Sequence, residues 1–206
     1  IGAISKTDDV TGKISSPNQK TIFKHYGKSA PLFIQSVLQD HGVPHTETNI
    51  QEIIDYHSHE MNNGKNTMSD DHILQGVRPL LTRLKKDEIH CVVASGNTRK
   101  TGESILKSTG INHYFETTGF STDSLHGKKI VKRSQILEKV LEEMKMKDDS
   151  ITLENSLCVG DTLNDVEAAR EIEMTCLLVE TGGLQKNDIP PSENTYFVST
   201  LEECLK

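Results

Sequence analysis

The strongest constraint on the fold is a short apolar run that stops at a glycine and leads to two aspartates. Residues 157–159 are Leu-Cys-Val, Gly160 ends the run, and Asp161 and Asp165 stand four apart at the start of a helical pattern. An uninterrupted apolar run predicts a strand buried on both faces of a parallel sheet. Ligands of open α/β sheets lie beyond the carboxyl ends of the strands, so both acids are expected at a ligand site.

The two acids suggest a metal. Mg²⁺ is a hard cation that takes carboxylates, waters and usually a substrate phosphate, so Asp161 and Asp165 are predicted to bind magnesium. The simpler alternative is that Asp165 caps the following helix and Asp161 only tolerates a turn. The spacing alone leaves both possibilities open.

The rest of the chain predicts an α/β fold with a Rossmann-like, mostly parallel sheet, because strand patterns alternate with helix patterns. β-branched or apolar runs predict strands at 89–94, 157–159 and 175–179, with an edge strand at 196–198. Periodic apolar residues predict helices at 77–86, 98–109 and 133–144, and a terminal helix at 201–205.

The first part of the chain has a different pattern. Two amphipathic helices are predicted, one from Pro31 to a stop at Gly42 and one starting near residues 48–49. Residues 1–30 are polar and broken by glycine and proline, and residues 62–70 form a polar break. The sequence therefore predicts a helical region at residues 1–68 and an α/β core at residues 69–206.

Composition excludes several functions. The 206 residues carry a formal charge of −7, which argues against nucleic acid or a membrane surface as a partner. No apolar run approaches the ~18 residues of a transmembrane helix. The four cysteines are far apart in sequence, as expected for reduced thiols in a cytoplasmic protein, and the nine histidines show no zinc-ligand spacing. The sequence does not predict an oligomeric state.

Three motifs in order resemble one family. They are the Ser95-Gly96-Asn97 turn after a strand, Arg133 at the opening of a helix, and the Gly160-Asp161-xxx-Asp165 stretch. Together they resemble the haloacid dehalogenase-like hydrolases, in the phosphoglycolate-phosphatase-like group that carries a helical cap. The resemblance covers roughly residues 25–183, and Gly27-Lys28-Ser29 with the two helices that follow is similar to the cap.

The resemblance implies a Mg²⁺-dependent phosphatase that acts on a small phosphorylated metabolite. It assigns phosphoryl binding to Ser95, Gly96 and Asn97. The positive charge beside the phosphoryl group is assigned to Arg133, with Lys132 as the second choice. The metal ligands that it implies are Asp161 and Asp165. It implies catalytic roles for Ser95, Arg133 and Asp161.

Simpler explanations exist for two of these residues. Ser95 is also a candidate N-cap for the helix predicted at 98–109. Arg133 and Lys132 belong to a basic cluster, which is usually a solvated surface. However, positive charge at a helix start opposes the helix dipole, and that cost is easier to understand if an anion binds there.

The family nucleophile is an Asp-x-Asp motif after the first strand, and this sequence contains none. The nearest match, Thr7-Asp8-Asp9-Val10-Thr11, puts threonine at the nucleophile position, and a shifted register puts Lys6 there. We therefore expect a chain that starts inside the cap, lacks the first central strand and is inactive. The alternative is a pseudoenzyme that binds phosphate and magnesium in a regulatory role.

Overall fold

The computed structural model describes residues 22, 24–62, 68–129, 132–181 and 194–205. These residues form a mixed α/β fold with six α-helices, which confirms the predicted fold class. The helices are α1 (Ala30–Asp40), α2 (Glu47–Asn62), α3 (Val77–Lys86), α4 (Arg99–Ser108), α5 (Arg133–Lys145) and α6 (Leu163–Glu171). The strands are β1 (Val92–Ser95), β2 (Thr117–Phe120), β3 (Ser124–Leu125), β4 (Lys128–Lys129), β5 (Leu157–Gly160), β6 (Thr175–Val179) and β7 (Thr195–Val198).

The strands fall into two separate parallel sheets and one small hairpin. β1 pairs with β2, while β6 lies between β5 and β7. β3 and β4 form the antiparallel hairpin. β5 pairs with β6 alone and β1 with β2 alone, so each parallel sheet ends in an edge that has no partner strand in the described part of the chain.

The burial of β5 differs from the prediction of a strand covered on both faces. Cys158 is buried with residues of α6, but Leu157 and Val159 are 53% and 51% exposed. Successive side chains of a strand point to opposite faces, so one face of β5 is covered and the other is open. The apolar pattern identified a central strand, whereas in the described residues β5 is an edge.

Strand β2 was missed by the sequence prediction, because Thr117-Thr118-Gly119-Phe120 contains no apolar run. Its Phe120 side chain is fully buried. A Cβ placed on Gly102 of α4 would come within 2.0 Å of the Phe120 ring, so the helix packs directly on the strand. Tertiary packing therefore decides the structure of this segment.

The helical unit near the start of the chain has a core of its own. Val37 and Leu38 of α1 are fully buried and share a cluster with Ile53 and Ile54 of α2. Gly42, with φ +66°, ends α1 in the left-handed region that favours glycine, as predicted. This unit contains no strand among its described residues.

Most other predicted elements appear close to their expected bounds, with a short 3₁₀ turn at Leu201–Leu205 in place of the terminal helix. Of the polar stretch predicted for residues 1–30, residues 1–21 and 23 lie outside the described part of the chain. Of the polar break predicted at 62–70, residues 63–67 lie outside it. None of the helices described is long and apolar enough to cross a membrane.

Candidate functional site

Arg133 opens α5 and links three parts of the chain. Its Nη2 lies 2.6 Å from Asp165 Oδ1, and its Nη1 donates a hydrogen bond of 3.0 Å to the carbonyl of Gly27. Its side chain is 24% exposed and that of Asp165 is 5% exposed. A largely buried, charge-assisted pair of this kind fixes the guanidinium at the carboxyl end of the β5 sheet.

Asp165 is held by hydrogen bonds as well as by charge. Its Oδ2 accepts from the backbone amides of Asp161 (3.2 Å) and Thr162 (3.0 Å) and from the Thr162 hydroxyl (2.8 Å). Thr162 is the N-cap of α6 and Asp165 stands at the third helical position in a capping box. The simpler alternative, that Asp165 caps the helix, is therefore confirmed, with the acid acting from the third helical position and Thr162 as the N-cap.

Gly160 has a steric reason to be glycine. A Cβ at this position would lie 2.3 Å from Cβ of Asp165 and 2.4 Å from its carboxyl carbon. The strand end therefore approaches the buried acid more closely than any side chain would allow. The glycine that the sequence marks as the end of a strand also makes room for the Asp165 carboxylate.

Asp161 has a different environment from Asp165. It is half-buried, and burial raises the pKa of its carboxyl, with a further increase from the nearby Asp165 charge and a partial decrease from Arg133. Arg133 thus acts on Asp161 through its charge, while its hydrogen-bonded ion pair is with Asp165. The two acids of the motif therefore lie close together but have different partners.

This difference bears on magnesium binding. Both oxygens of Asp165 are engaged, one by Arg133 and one by the N–H and O–H donors of the turn. The Asp161 carboxylate suits a hard cation, because a positive charge beside it would offset the like charge of Asp165. Within the described residues no group of three or more histidine, cysteine, aspartate or glutamate side chains forms a metal site. Further oxygen ligands would therefore come from water, substrate or other parts of the chain.

The Ser95-Gly96-Asn97 turn meets the same region from the other sheet. The Gly96 carbonyl accepts a 2.7 Å hydrogen bond from the Ala30 amide at the start of α1. A Cβ on Gly96 would lie 3.2 Å from Arg133 Nη1, so the arginine packs against this turn. The turn, Arg133 and the helical unit therefore converge at the carboxyl ends of β1 and β5.

Ser95 is not the N-cap of α4. That position belongs to Thr98, whose hydroxyl accepts from the Thr101 amide at 3.2 Å. The Ser95 hydroxyl instead accepts from the Asn97 amide, also at 3.2 Å. The capping alternative for Ser95 is therefore wrong.

Lys132 lies apart from the two acids. Its Nζ forms a 2.8 Å ion pair with Glu171 at the end of α6, and the lysine side chain is 63% exposed. Its backbone amide donates to the Gln135 side chain as part of the capping of α5. Of the two basic candidates, Arg133 is the one that the structure brings to Asp165.

One residue of this region, Asn164, was not predicted. Asn164 Nδ2 donates a 3.2 Å hydrogen bond to the carbonyl of Tyr26, and a Cβ on Gly27 would lie 2.6 Å from that nitrogen. Gly27 also has φ +87°, which favours glycine. A polar residue in the first turn of a helix usually faces solvent, so nothing in the sequence distinguished Asn164.

A polar chain also fixes the segment that crosses the site. Lys28 Nζ lies 2.9 Å from Ser36 Oγ and 3.1 Å from Nδ1 of the buried His25. Nε2 of His25 lies 2.8 Å from Asp40. Lysine donates and carboxylate accepts, so the arrangement suits the His25 tautomer with its proton on Nε2. The segment 25–28 is thereby tied to α1.

The sequence matches the family model of haloacid dehalogenase-like hydrolases over residues 5–179. The chain belongs to the haloacid dehalogenase-like hydrolase family. Among curated proteins, no match to this sequence is found. The family membership therefore rests on the family match and on the order of the motifs described above.

Solved structures of this haloacid dehalogenase-like fold are similar at low sequence identity. A predicted phosphatase from Clostridium acetobutylicum has a TM-score of 0.71 and 19% identity, covering 98% of this chain and 88% of that chain. CbbY from Rhodobacter sphaeroides in complex with phosphate has a TM-score of 0.70 and 13% identity, over 98% and 87%. The β-phosphoglucomutase of Clostridium difficile has a TM-score of 0.68 and 16% identity, over 98% and 83%. At these identities the likeness shows the fold.

Proposed function

We propose that the site at the carboxyl ends of β1 and β5 binds the phosphoryl group of a small phosphorylated metabolite, as in a phosphatase. The observation that carries this proposal is the convergence of Arg133, the Asp161–Asp165 pair and the Gly96 turn at one place. A cation fixed beside backbone turns provides donors for phosphate oxygens. Among similar structures, CbbY has been solved with phosphate and with xylulose-(1,5)bisphosphate, so sugar phosphates are the first compounds to test.

Each residue has a specific task in this proposal. Arg133 balances the charge of the phosphoryl group, and the Ser95 hydroxyl donates a hydrogen bond to one of its oxygens. Asp161 is the first ligand of Mg²⁺, and Asp165 either joins it or holds Asp161 and Arg133 in place. Bound Mg²⁺ would stabilise the negative charge on the phosphoryl oxygens.

The helical unit of α1 and α2 is proposed to act as a cap over the phosphoryl site. It reaches the core through the Ala30–Gly96 backbone hydrogen bond and the Gly27 carbonyl bound by Arg133. Closure of such a cap excludes water and brings selecting side chains to the substrate.

Binding is expected without turnover in the chain of 206 residues, because its sequence contains no Asp-x-Asp motif to accept the phosphoryl group. p-Nitrophenyl phosphate with Mg²⁺ tests this expectation directly. Strong hydrolysis that is lost in Asp161→Asn would contradict the expected inactivity while supporting the phosphoryl site.

The binding proposal itself is tested with inorganic phosphate by isothermal titration calorimetry. Arg133→Met is expected to abolish phosphate binding, and the matched variant Lys132→Met, which removes the adjacent cation, is expected to leave it unchanged. Near-ultraviolet circular dichroism establishes that both variants are folded. Equal loss in both variants, or unchanged binding in Arg133→Met, would overturn the assignment of Arg133.

A second candidate function is a non-catalytic protein that binds phosphate and Mg²⁺ in a regulatory role. The observation that favours it is the missing Asp-x-Asp motif in a chain whose arginine and acids are still assembled. Phosphate binding in the micromolar range without turnover is expected of this chain under both proposals. Natural sequence upstream of Ile1 that also lacks an Asp-x-Asp motif would favour the regulatory function, and such a motif there would favour the phosphatase.

A further inference from the structure

Two cysteines face each other across neighbouring strands beneath the candidate site. Cys158 of β5 is the direct partner of Cys176 of β6 in the parallel ladder. Directly paired residues of a sheet point to the same face, and neighbouring strands lie about 4.7–4.9 Å apart. A disulfide requires a Cα–Cα distance of about 4.4–6.8 Å. The backbone therefore already holds these two cysteines at the spacing that a disulfide needs.

The two side chains share one buried environment. Both are free thiols, they are 8% and 1% exposed, and both belong to the cluster that contains Val166 and Ala169 of α6. The hydrogen bond between the two thiols lowers the pKa of Cys176 and raises the pKa of Cys158. Cys158 is therefore the donor of this bond, and Cys176 is the sulfur that more readily becomes the nucleophilic thiolate.

We propose that Cys158 and Cys176 are a modification site, at which hydrogen peroxide forms a reversible disulfide. The thiolate of Cys176 attacks one oxygen of the peroxide and the O–O bond breaks. The departing hydroxide takes up the proton that Cys176 released, so that water leaves and a sulfenic acid remains. The Cys158 sulfur then attacks the Cys176 sulfur, the S–S bond forms, the S–O bond breaks, and the hydroxyl leaves as water with the Cys158 proton. Two thiols lose two electrons in total, and one peroxide is reduced to two waters.

Strand β5 offers the oxidant a way to the buried pair. Leu157 and Val159, on the other face of β5, are about half exposed, and within the described part of the chain β5 pairs on one side only. A segment with few covering contacts opens locally at a lower free energy than a fully packed one. Because the two sulfurs lie on the same face, local opening of β5 exposes both of them together.

The position of the pair gives the disulfide a consequence at the candidate site. The charge of Asp165 acts on both thiols and the charge of Arg133 acts on Cys158, so the pair lies close to this ion pair. Cys158 precedes Gly160 by two residues, and Gly160 has no free space against Asp165. A disulfide joins its sulfurs at about 2.05 Å, which is shorter than any hydrogen-bonded contact, so its formation displaces β5 relative to α6. We expect weaker phosphate binding after oxidation, and only this consequence rests on the proposed function.

Peroxide treatment of the full chain tests the disulfide. The protein to use is the double variant Cys91→Ser/Cys204→Ser, which removes the two other cysteines and leaves the buried pair intact. Intact mass spectrometry is expected to show the loss of two hydrogen atoms, and dithiothreitol is expected to restore them. Peptide mapping is expected to link residues 158 and 176 within one chain. Two free thiols after treatment, oxygen addition without the loss of two hydrogen atoms, or a link between two chains would overturn the disulfide.

A further variant tests which sulfur reacts first. With Cys158→Ser added to the same background, no disulfide can form, and the sulfenic acid on Cys176 is expected to persist and to be labelled by dimedone. Absence of the label from a folded variant would overturn the assigned order of attack. If this variant fails to fold, the mass change of the double variant still decides whether the disulfide forms.

Isothermal titration calorimetry with inorganic phosphate, before and after oxidation of the double variant, measures the consequence for the site. Oxidation is expected to weaken phosphate binding by at least about tenfold, equivalent to 1.4 kcal/mol, and dithiothreitol is expected to restore it. A disulfide that leaves phosphate affinity unchanged would overturn the coupling to the site. Absence of phosphate binding in the reduced protein would instead contradict the proposed function, and the mass spectrometry would still decide the disulfide.

Discussion

Replacing Asp165 with asparagine is predicted to destabilise the fold strongly, although the two side chains have almost the same shape. The asparagine carbonyl can still accept from the amides of Asp161 and Thr162. Its NH₂ group, however, would face Arg133 Nη2 at the 2.6 Å position now held by Oδ1, so that two donors would oppose each other. The buried arginine would lose its counter-charge at the same time.

The magnitude follows from burial. Removing one partner of a buried ion pair costs about 3–5 kcal/mol. The lower end applies here, because the Arg133 side chain is 24% exposed and can recover part of its hydration. We therefore expect a loss of about 3 kcal/mol in the free energy of unfolding. For a chain of this size that corresponds to a decrease of roughly 6–12 °C in Tm. Urea denaturation at pH 7, followed by circular dichroism, measures the loss.

The matched control is Asp161→Asn, the same chemical change four residues earlier. Burial and the Asp165 charge raise the pKa of Asp161 above its ordinary 3.8, so the folded state binds this proton more tightly than the unfolded state does. The ionised Asp161 therefore lowers stability as pH rises through the raised pKa. Asp161→Asn should match the unsubstituted chain below pH 3.8 and become the more stable of the two at neutral pH without Mg²⁺. A loss below about 1 kcal/mol in Asp165→Asn, or an equal loss in both variants, would refute this reasoning.

Three further predictions follow from other parts of the structure. Gly102→Ala should destabilise by about 1–3 kcal/mol in urea denaturation despite the better helix propensity of alanine, because its Cβ would lie 2.0 Å from the buried Phe120 ring. The pKa of His90 is raised, chiefly by its hydrogen bond to Glu116, so an NMR titration of Glu116→Gln should show a lower His90 pKa. The stability that this pair contributes is present below pH 6.5 and is lost as pH rises through the raised pKa. Asp123→Asn should cost about 1.5–3 kcal/mol in thermal unfolding: the Asp123 side chain is 7% exposed and accepts from Arg99 through both oxygens, but Arg99 is 40% exposed and recovers part of its hydration.

The sequence predicted elements whose structure is decided locally. Helix α3 has the bounds that its apolar periodicity indicated, and Gly42 ends α1 at the expected place. Strand β2 was missed because a threonine-rich segment becomes a strand here through the burial of Phe120 against α4. Long-range packing of this kind leaves no periodic pattern in the segment itself.

The candidate site was predictable in its residue types but not in its partners. Spacing and resemblance identified Arg133, Asp161 and Asp165, and the structure brings all three to the ends of the sheets. The sequence could not indicate that Arg133 forms its ion pair with Asp165 and acts on Asp161 only through its charge. This pairing depends on how closely the first turns of α5 and α6 approach each other in the folded chain. Asn164 was missed for the same reason, since its partner is a carbonyl 138 positions away along the chain.

The double hydrogen-bonding role of Arg133 has a consequence for communication within the protein. One nitrogen of its guanidinium holds the Gly27 carbonyl and another holds Asp165. An anion that drew the guanidinium toward itself would compete with the Gly27 carbonyl and weaken the attachment of the helical unit. Anion binding at the phosphoryl site and detachment of the helical unit of α1 and α2 would then be thermodynamically linked, and each would alter the other by the same free energy.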